Sequence, residues 1–356
     1  MTKNNNKPFF TQSLLFWNRE INTREMPWKG EKDPYKIWLS EIILQQTRVE
    51  QGWAYYLRFI KKYPTVKKLA TANDTDVFKL WEGLGYYSRC RNLLASARLI
   101  YGELGGIFPS SYAGILQLKG VGPYTAAAIA SFAFGLPFAV VDGNVNRVLA
   151  RFFGIETPVD STEGKKIFSV LAQELLDLKE PGLYNQAIMD FGATVCKPQL
   201  PLCVECVLNK NCAAYNTGRI ADLPVKEKKI VKKNRWFYYI LLENEGQYFI
   251  RTRQTKDIWQ GLSEFILVEW PERVEVKQLL KTREFKSFVG AGFELTGYSK
   301  EYKQQLTHQT VHAVFIDGKM NAGEEPKGYD KVGIKNIKRR AFPRLLNDFL
   351  ADKGWK

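Results

Sequence analysis

Four closely spaced cysteines constrain this chain more than any other feature. Cys196, Cys203, Cys206 and Cys212 have the spacing C-x6-C-x2-C-x5-C. In a reducing cytoplasm, clustered thiols are expected to be metal ligands rather than two disulfides. Tetrahedral thiolates also suit zinc, but zinc ribbons usually pair two C-x2-C knuckles and this chain has only one. We therefore expect residues 196–212 to fold as a loop around a metal centre.

The balance of charge indicates a polyanionic partner. The chain has 356 residues, a formal net charge of +15 and a pI near 9.4. A positive field of this size attracts nucleic acid or an acidic membrane, although a basic protein without such a partner is an alternative. No run approaches the ~18 apolar residues of a membrane span, and the N-terminus lacks a signal-peptide core. We expect a cytoplasmic, nucleoid-associated protein of about two or three domains.

The sequence pattern predicts a flexible N-terminal tail (1–8), a helical domain (9–215), a basic connector (216–235) and an α+β domain (236–356). Apolar residues recur at helical spacing in the helical domain. The stretches that show this periodicity are 10–18, 37–60, 77–80, 91–101, 125–134 and 145–153. The connector is rich in lysine and has no apolar period, which is typical of a solvated linker.

The last third of the chain contains strand signals. Two aromatic and β-branched runs flank residues 243–246, a pattern that predicts a β-hairpin. Further strands are expected at 261–270 and 312–319, and a closing helix is expected at 341–355. This mixture predicts an α+β domain.

Two glycines, Gly120 and Gly122, separate two apolar helices in the run LKGVGPYTAAAI (118–129). Such glycines let the backbone turn tightly and approach a partner closely. The first N–H groups of the next helix have no partner within that helix and suit a phosphate. Many helix corners use the same pair, but in a basic chain we interpret it as a helix-hairpin-helix motif. Such a motif positions DNA without reading its sequence.

Two carboxylates lie in different sequence environments. Glu41 has Ile37, Trp38 and Leu44 at helical spacing, so we expect it to titrate high. Asp142 ends an aliphatic run before a helix, whose dipole would keep it ionised. The alternatives are a solvent-facing glutamate and an ordinary N-cap aspartate. Acid-catalysed glycosidic cleavage needs such a pair, because one acid protonates the leaving group and the other faces the oxocarbenium ion.

Six elements, in this order, resemble the MutY-type adenine DNA glycosylases of the helix-hairpin-helix superfamily, to which endonuclease III also belongs. They are PWK (27–29), DPYKIWLSEIILQQT (33–47), LWEGLGYYSRCRNL (80–93), LKGVGPYTAAAI (118–129), VVDGNVNRVLAR (140–151) and the cysteine quartet. The resemblance covers nearly the whole chain. It implies a mostly α-helical core with an iron–sulfur loop at 196–212 and a Nudix-like α+β C-terminal domain.

The resemblance also implies a reaction and a substrate. A monomeric enzyme would flip adenine out of duplex DNA where it is mispaired with 8-oxoguanine or guanine. Glu41 would protonate adenine N7 and later assist water. Asp142 would stabilise the oxocarbenium ion, including through a covalent sugar adduct, and Tyr124 and Asn144 would line the sugar side of the site.

Further residues receive DNA-binding and metal-binding roles by the same resemblance. Gln46 and Tyr86 match the residues that wedge into the base stack. The hairpin residues expected to meet DNA are Gly120, Val121, Gly122 and Thr125. The ligands expected to hold a structural 4Fe-4S cluster, which would shape a DNA-binding loop around 197–210, are Cys196, Cys203, Cys206 and Cys212.

One departure from the lyase branch of the superfamily concerns the hairpin. Those enzymes have a lysine that forms a Schiff base with the sugar, where this chain has Tyr124. Tyrosine cannot form one, so we expect a monofunctional glycosylase that leaves an abasic site without strand cleavage.

The C-terminal domain is expected to recognise the base opposite adenine. It lacks the GX5EX7REUXEEXGU box of Nudix enzymes that binds magnesium, so a second enzymatic activity is not expected. The family's Phe-Ser-His loop, which senses 8-oxoguanine, corresponds to Leu306, Thr307 and His308. Thr307 keeps the hydroxyl and His308 the imidazole, whereas Leu306 lacks the ring. A hydrogen-bonded histidine at a strand edge is the alternative interpretation of His308.

Two other functions stay open from the sequence. An oxidised-pyrimidine glycosylase with lyase activity is disfavoured by Tyr124. A catalytically inactive protein that binds damaged DNA is disfavoured by the presence of both Glu41 and Asp142, although neither residue proves turnover.

Overall fold

Polar caps and left-handed glycines set the ends of many helices in the first two thirds of the chain. Asp33, Asn73 and Ser161 each accept a hydrogen bond from a backbone N–H in the first turn of the helix that follows. Gly135 and Gly154 end two helices with positive φ. These are the start and stop signals that helices commonly use. The structure is a computed structural model and describes residues 6–227, 232–290, 292–321 and 325–355.

The helices of this part of the chain are short and numerous. Their bounds are α1 (Asn6–Glu20), α2 (Pro34–Leu44), α3 (Val49–Lys62), α4 (Val66–Ala70), α5 (Asp74–Trp81), α6 (Ser88–Gly102), α7 (Tyr112–Leu116), α8 (Pro123–Phe134), α9 (Gly143–Phe153), α10 (Thr162–Leu175), α11 (Pro181–Thr194) and α12 (Ala213–Asn216), with a 3-10 turn at Asn209–Asn211. Side chains from α1, α8, α9, α10 and α11 share one hydrophobic core.

The predicted helical stretches are confirmed, and three segments of the chain differ from the prediction. The stretch 37–60 is two helices, because Gln46 between α2 and α3 has a left-handed φ of 56°. Residues 6–8 are helical rather than part of a flexible tail, and residues 233–235 of the predicted connector begin a strand. Residues 1–5 of the tail and 228–231 of the connector lie outside the described residues.

The C-terminal part forms one mixed sheet. Its strands are β1 (Lys233–Asn244), β2 (Gln247–Thr252), β3 (Ser263–Trp270), β4 (Phe293–Tyr298), β5 (Tyr302–Gln305), β6 (Gln309–Met320) and β7 (Asp330–Gly333). The strand order is β4-β6-β1-β3-β2-β7, with β5 paired to β6. The predicted hairpin is confirmed, since Asn244 pairs with Gln247 across Glu245 and Gly246. Strands β1 and β6 pair in parallel, which the sequence pattern did not predict.

Both faces of this sheet are covered by helices. Successive residues of β1 alternate between two cores, with Tyr239 in one and Tyr238 in the other. The helices that cover the faces are α13 (Val276–Leu279), α14 (Arg283–Val289), α15 (Ile334–Ile337) and α16 (Arg344–Asp352). A strand buried on both faces explains the continuous apolar run of β1. The predicted closing helix corresponds to α16.

The chain divides into two compact units. One contains residues 1–71 and 92–228, and the other contains residues 72–91 and 229–356. Helix α5 and the turn after it therefore belong with the C-terminal sheet, although they lie within the helical part of the sequence. No helix in the described part of the chain is long and apolar enough to cross a membrane.

Candidate active site

Glu41 is a buried carboxylate of the helical unit with a strongly raised pKa. It lies near the end of α2, is 7% exposed, and follows the buried residues Ile37 and Trp38 on the same helix. Burial raises the pKa of Glu41 to about 7, a hydrogen bond with Tyr124 opposes the rise, and the charge of Asp142 adds to it. Glu41 therefore titrates high, as the apolar sequence context indicated, and carries a proton in much of the population at neutral pH.

Asp142 caps the N-terminus of α9. One carboxylate oxygen accepts a hydrogen bond from Val145 N at 2.7 Å, and the other accepts one from Asn144 Nδ2 at 2.8 Å. Burial nevertheless raises the pKa of Asp142 above its ordinary value, because desolvation outweighs these hydrogen bonds. The helix start was expected to keep Asp142 ionised, and burial acts against that expectation. The N-cap alternative is confirmed, and the role of Asp142 toward a ligand stays a prediction.

Arg147 connects this cap to the segment that leads into the cysteine loop. Its guanidinium donates to Asn144 Oδ1 at 2.8 Å, to the Gly192 carbonyl at 2.7 Å and to the Cys196 carbonyl at 2.8 Å. Gly192 has no room for a side chain, since a Cβ there would lie 2.7 Å from Asn144 Cβ. The orientation of Asn144 is thus fixed by both hydrogen bonds and close packing.

Tyr124 lies beside both acids. Burial and the neighbouring carboxylates raise the pKa of Tyr124 well above 10, so its hydroxyl keeps its proton. This hydroxyl hydrogen-bonds with Glu41 and lies 3.2 Å from Met189 Sδ. An ionised Glu41 accepts the hydroxyl proton. A protonated Glu41 can instead donate to the Tyr124 oxygen, while the hydroxyl donates to the thioether.

Glu41 opens onto a cavity of about 280 Å³. Segments from α1, α2, α8 and α11 and the loop at 28–32 form its wall. The residues that line it are Asn18, Trp28, Lys29, Gly30, Glu31, Lys32, Ile37, Ser40, Glu41, Phe132, Gly182, Leu183 and Gln186. Trp28, Lys29 and Gln186 had no predicted site role. The PWK motif could have indicated Trp28 and Lys29. No motif indicates Gln186, because only the packing of α11 brings it to the cavity.

The glycine hairpin has the expected geometry. Gly120 has a φ of 80°, and a Cβ there would lie 2.8 Å from the Asn92 side chain. Gly122 caps α8, and a Cβ at Gly122 would meet only open space. Val121 and Thr125 are buried, and Thr125 Oγ1 accepts a hydrogen bond from Gln45 Nε2. The DNA contact predicted for the hairpin uses backbone N–H groups and stays a prediction, while the side chains of these two residues pack inside the protein.

The two residues expected to wedge into DNA share an unusual backbone conformation. Gln46 has a φ of 56° and is exposed, and Tyr86 has a φ of 45° and is 45% exposed. Non-glycine residues rarely adopt positive φ, and such strain concentrates at functional positions. Both side chains are available to a partner.

The four clustered cysteines are free thiols and line one cavity. Arg151 of α9 fixes the start of this loop by donating to the carbonyls of Lys197 at 2.7 Å and Pro198 at 3.1 Å. Within the described ranges, no group of three or more His, Cys, Asp or Glu side chains is arranged to hold a metal ion.

The loop predicted to sense 8-oxoguanine, residues 306–308, lies between β5 and β6. Thr307 and His308 are exposed, whereas Leu306 is partly buried and packs against the sheet core. The Thr307 hydroxyl hydrogen-bonds with the Tyr86 hydroxyl. The hydrogen-bonded strand histidine is His312, which bonds to Glu301 at 2.6 Å and stacks on Trp236.

Comparison with known families matches both parts of the chain. Residues 39–178 match the HhH-GPD superfamily of base excision DNA repair proteins. Residues 237–352 match the NUDIX domain family. A helical glycosylase core followed by a Nudix-like domain is the architecture that the sequence resemblance implied.

Relatives of this chain show which family within the superfamily it belongs to. The chain is 33% identical to an adenine DNA glycosylase of Buchnera aphidicola subsp. Schizaphis graminum over 354 residues, which is 96% of this chain and 97% of the relative. The chain belongs to the adenine DNA glycosylase family. It is also 45% identical to the human adenine DNA glycosylase over 214 residues, which is 58% of this chain and 39% of the human protein.

Solved structures resemble the helical part. A thermostable thymine-DNA glycosylase superposes with a TM-score of 0.57 and 30% identity, over 61% of this chain and all of that chain. A non-covalent endonuclease III–DNA complex gives a TM-score of 0.52 at 19% identity, over 61% of this chain and 99% of that chain. The second likeness shows the fold alone.

Proposed function

We propose that this family member hydrolyses the N-glycosidic bond of adenine mispaired with 8-oxoguanine or guanine in duplex DNA. The observation that carries the proposal is the pair of acids. Glu41, with a pKa of about 7, opens onto a cavity, and the charge of Asp142 acts on both Glu41 and the Tyr124 hydroxyl. A cavity of about 280 Å³ accommodates a base that has been flipped out of the duplex.

The chemistry divides between the two acids. Glu41 donates its proton to adenine N7, the bond between C1′ and N9 breaks, and its electron pair leaves with the base. The Asp142 carboxylate, held by Asn144 and Val145, stabilises the positive charge that develops on the sugar. Water then adds to C1′ and gives a proton to the Glu41 carboxylate, which returns the acid to its initial state.

The product is an abasic site in an unbroken strand. A lyase needs an amine that forms a Schiff base with the sugar, and Tyr124 lies where the lyases of the superfamily have that lysine. Its hydroxyl stays protonated beside Glu41. The same hydroxyl orients the acid and therefore supports hydrolysis.

Duplex DNA is the partner that the charge and the exposed residues favour. The free amides at the start of α8 suit a phosphate, and Gly122 leaves room for close approach. Exposed Gln46 and Tyr86 would enter the base stack, and Thr307 and His308 would contact the base opposite adenine. The protein would act as a monomer in the cytoplasm, associated with the nucleoid.

A 4Fe-4S cluster fits the donor set of the cysteine loop. The ligands would be Cys196, Cys203, Cys206 and Cys212, which line one cavity. Four cysteine thiolates are the donor set that commonly holds a 4Fe-4S cluster. Bound there, the cluster would hold the loop in shape, while Arg147 and Arg151 tie the loop to the helix that Asp142 caps.

The test is single-turnover cleavage of duplexes with adenine opposite 8-oxoguanine, guanine or thymine, and of one with thymine opposite guanine. Each reaction is developed with and without alkali. The proposal expects alkali-dependent breaks only at adenine opposite 8-oxoguanine or guanine. Breaks without alkali would contradict the monofunctional assignment. Release of thymine alone, the base named for the thermostable relative, would contradict the substrate assignment.

A further inference from the structure

The segment that carries Tyr86 belongs to the same compact unit as the C-terminal sheet. Residues 72–91 form one compact unit with residues 229–356. Helix α5 begins this segment, and the turn 82–87 follows it. Tyr86, which is predicted to wedge into the base stack, and the loop 306–308, which is predicted to sense 8-oxoguanine, are thus parts of one compact unit.

A charged pair fastens α5 to the segment before α16. Glu82 accepts a hydrogen bond from Phe342 N at 3.0 Å and one from Lys79 Nζ at 2.7 Å. Lys79 Nζ also donates to the Arg340 carbonyl at 3.1 Å. The Glu82 side chain is 16% exposed and the Lys79 side chain is 32% exposed, so the pair is partly shielded from water. Each charged group therefore neutralises the other and binds a backbone group of residues 340–342.

Another contact fastens the same segment at its other end. Arg91 donates a hydrogen bond to the Gln260 carbonyl, in the loop between β2 and β3. Residues 79–91 are thus fixed to the sheet domain at both ends.

The turn between these two fixed ends is itself rigid. Trp81 Nε1 donates to the Gly85 carbonyl at 3.0 Å, and Arg89 donates to the carbonyls of Leu84 and Gly85. This arrangement holds Tyr86 at a φ of 45°, with its hydroxyl bonded to Thr307.

We infer that Glu82, together with Lys79, is a positioning residue for discrimination of the base opposite adenine. It fixes the position of the turn that carries Tyr86 relative to the sheet. Tyr86 and Thr307 then contact the base opposite adenine as one site. This inference rests on the proposed function, because it concerns the preference for 8-oxoguanine over guanine.

The test compares single-turnover adenine excision opposite 8-oxoguanine with that opposite guanine. Glu82→Ala should lower the ratio of the two rates by about tenfold, the effect of losing one well-placed hydrogen bond. Glu82→Gln keeps an acceptor oxygen for Phe342 N and should lose less. Glu103→Ala removes the same charge from an exposed position and should leave the ratio unchanged.

A double-mutant cycle separates positioning from general stability. Thr307→Val should lower the same ratio, and adding Glu82→Gln or Glu82→Ala should lower it little further, because both changes act on one contact. Additive losses, or an unchanged ratio in both Glu82 variants of an enzyme that prefers 8-oxoguanine, would overturn this inference alone. A wild-type enzyme that excises adenine equally fast opposite 8-oxoguanine and opposite guanine would also overturn the proposed recognition of 8-oxoguanine.

Discussion

The pocket around Glu41 and the loop 306–308 place their functional side chains in opposite environments. Glu41 is buried, and its unusual pKa follows from the loss of water. Thr307 and His308 are exposed at a strand connection, where a partner can reach them. Under the proposed function, catalysis depends on a desolvated acid, whereas recognition depends on accessible donors and acceptors. Substitutions in the pocket should therefore change rate constants strongly. Substitution of Leu306, at the edge of the loop, should have a small effect.

The largest effect is expected from Glu41→Gln. The amide has nearly the same shape but cannot donate a proton as an acid, so adenine excision should fall by about 10²–10⁴-fold. Single-turnover cleavage measures the loss, and a gel-shift titration of the same duplex checks that DNA binding persists. Equal loss of binding and cleavage would show that Glu41 has a structural rather than an acid role.

Asp142→Asn should have the next largest effect. Asparagine is also a good N-cap, so α9 should form normally. The loss of the negative charge should lower the excision rate by about 10²–10³-fold, the range found when one transition-state electrostatic contact is removed. Thermal unfolding provides the control, and a large fall in melting temperature would mean that the rate loss reflects damage to the cap.

The buried acid should also reduce stability at neutral pH. The pKa of Glu41 is raised from 4.5 to about 7, so the protonated acid stabilises the fold below pH 4.5 and this contribution is lost between pH 4.5 and 7. Glu41→Gln avoids the loss and should be more stable than wild type above pH 7, by up to about 3 kcal/mol. Denaturant unfolding at several pH values measures the difference. A difference independent of pH would contradict the raised pKa.

The smallest effect is expected in the loop. Leu306 already packs against the sheet core, so Leu306→Phe should change excision opposite 8-oxoguanine by less than about threefold, as for most surface substitutions. Single-turnover rates for adenine opposite 8-oxoguanine and guanine check this. A selective gain of tenfold opposite 8-oxoguanine would show that a ring at this position contacts the base and that the loop is incomplete without it.

Local patterns predicted much of the fold and part of the site. Periodicity located many of the helices, and the Glu243–Gly246 turn predicted the hairpin. The break after α2 was not predictable, because the residues around Gln46 are not typical turn formers and no local signal marks its left-handed backbone. The parallel pairing of β1 with β6 joins residues far apart in sequence and leaves no local signal.

The same limit applies to the candidate site. Glu41 and Asp142 were visible as two acids in different contexts, yet only the fold shows that Tyr124 lies beside both. Gln186 and Asn18 reach the cavity because α11 and α1 pack side by side, which no single motif encodes. The association of residues 72–91 with the C-terminal sheet was also hidden, since it depends on backbone groups of residues 340–342.

The pH dependence of single-turnover adenine excision tests most directly whether a buried, protonated Glu41 drives the reaction. Because the acid must carry its proton, the rate should be highest below its pKa of about 7 and fall toward tenfold per pH unit above it. Saturating enzyme and one duplex with adenine opposite 8-oxoguanine keep binding out of the measured rate. A rate that stays constant from about pH 5 to pH 9 would contradict the account, because no group with that pKa would then supply the proton.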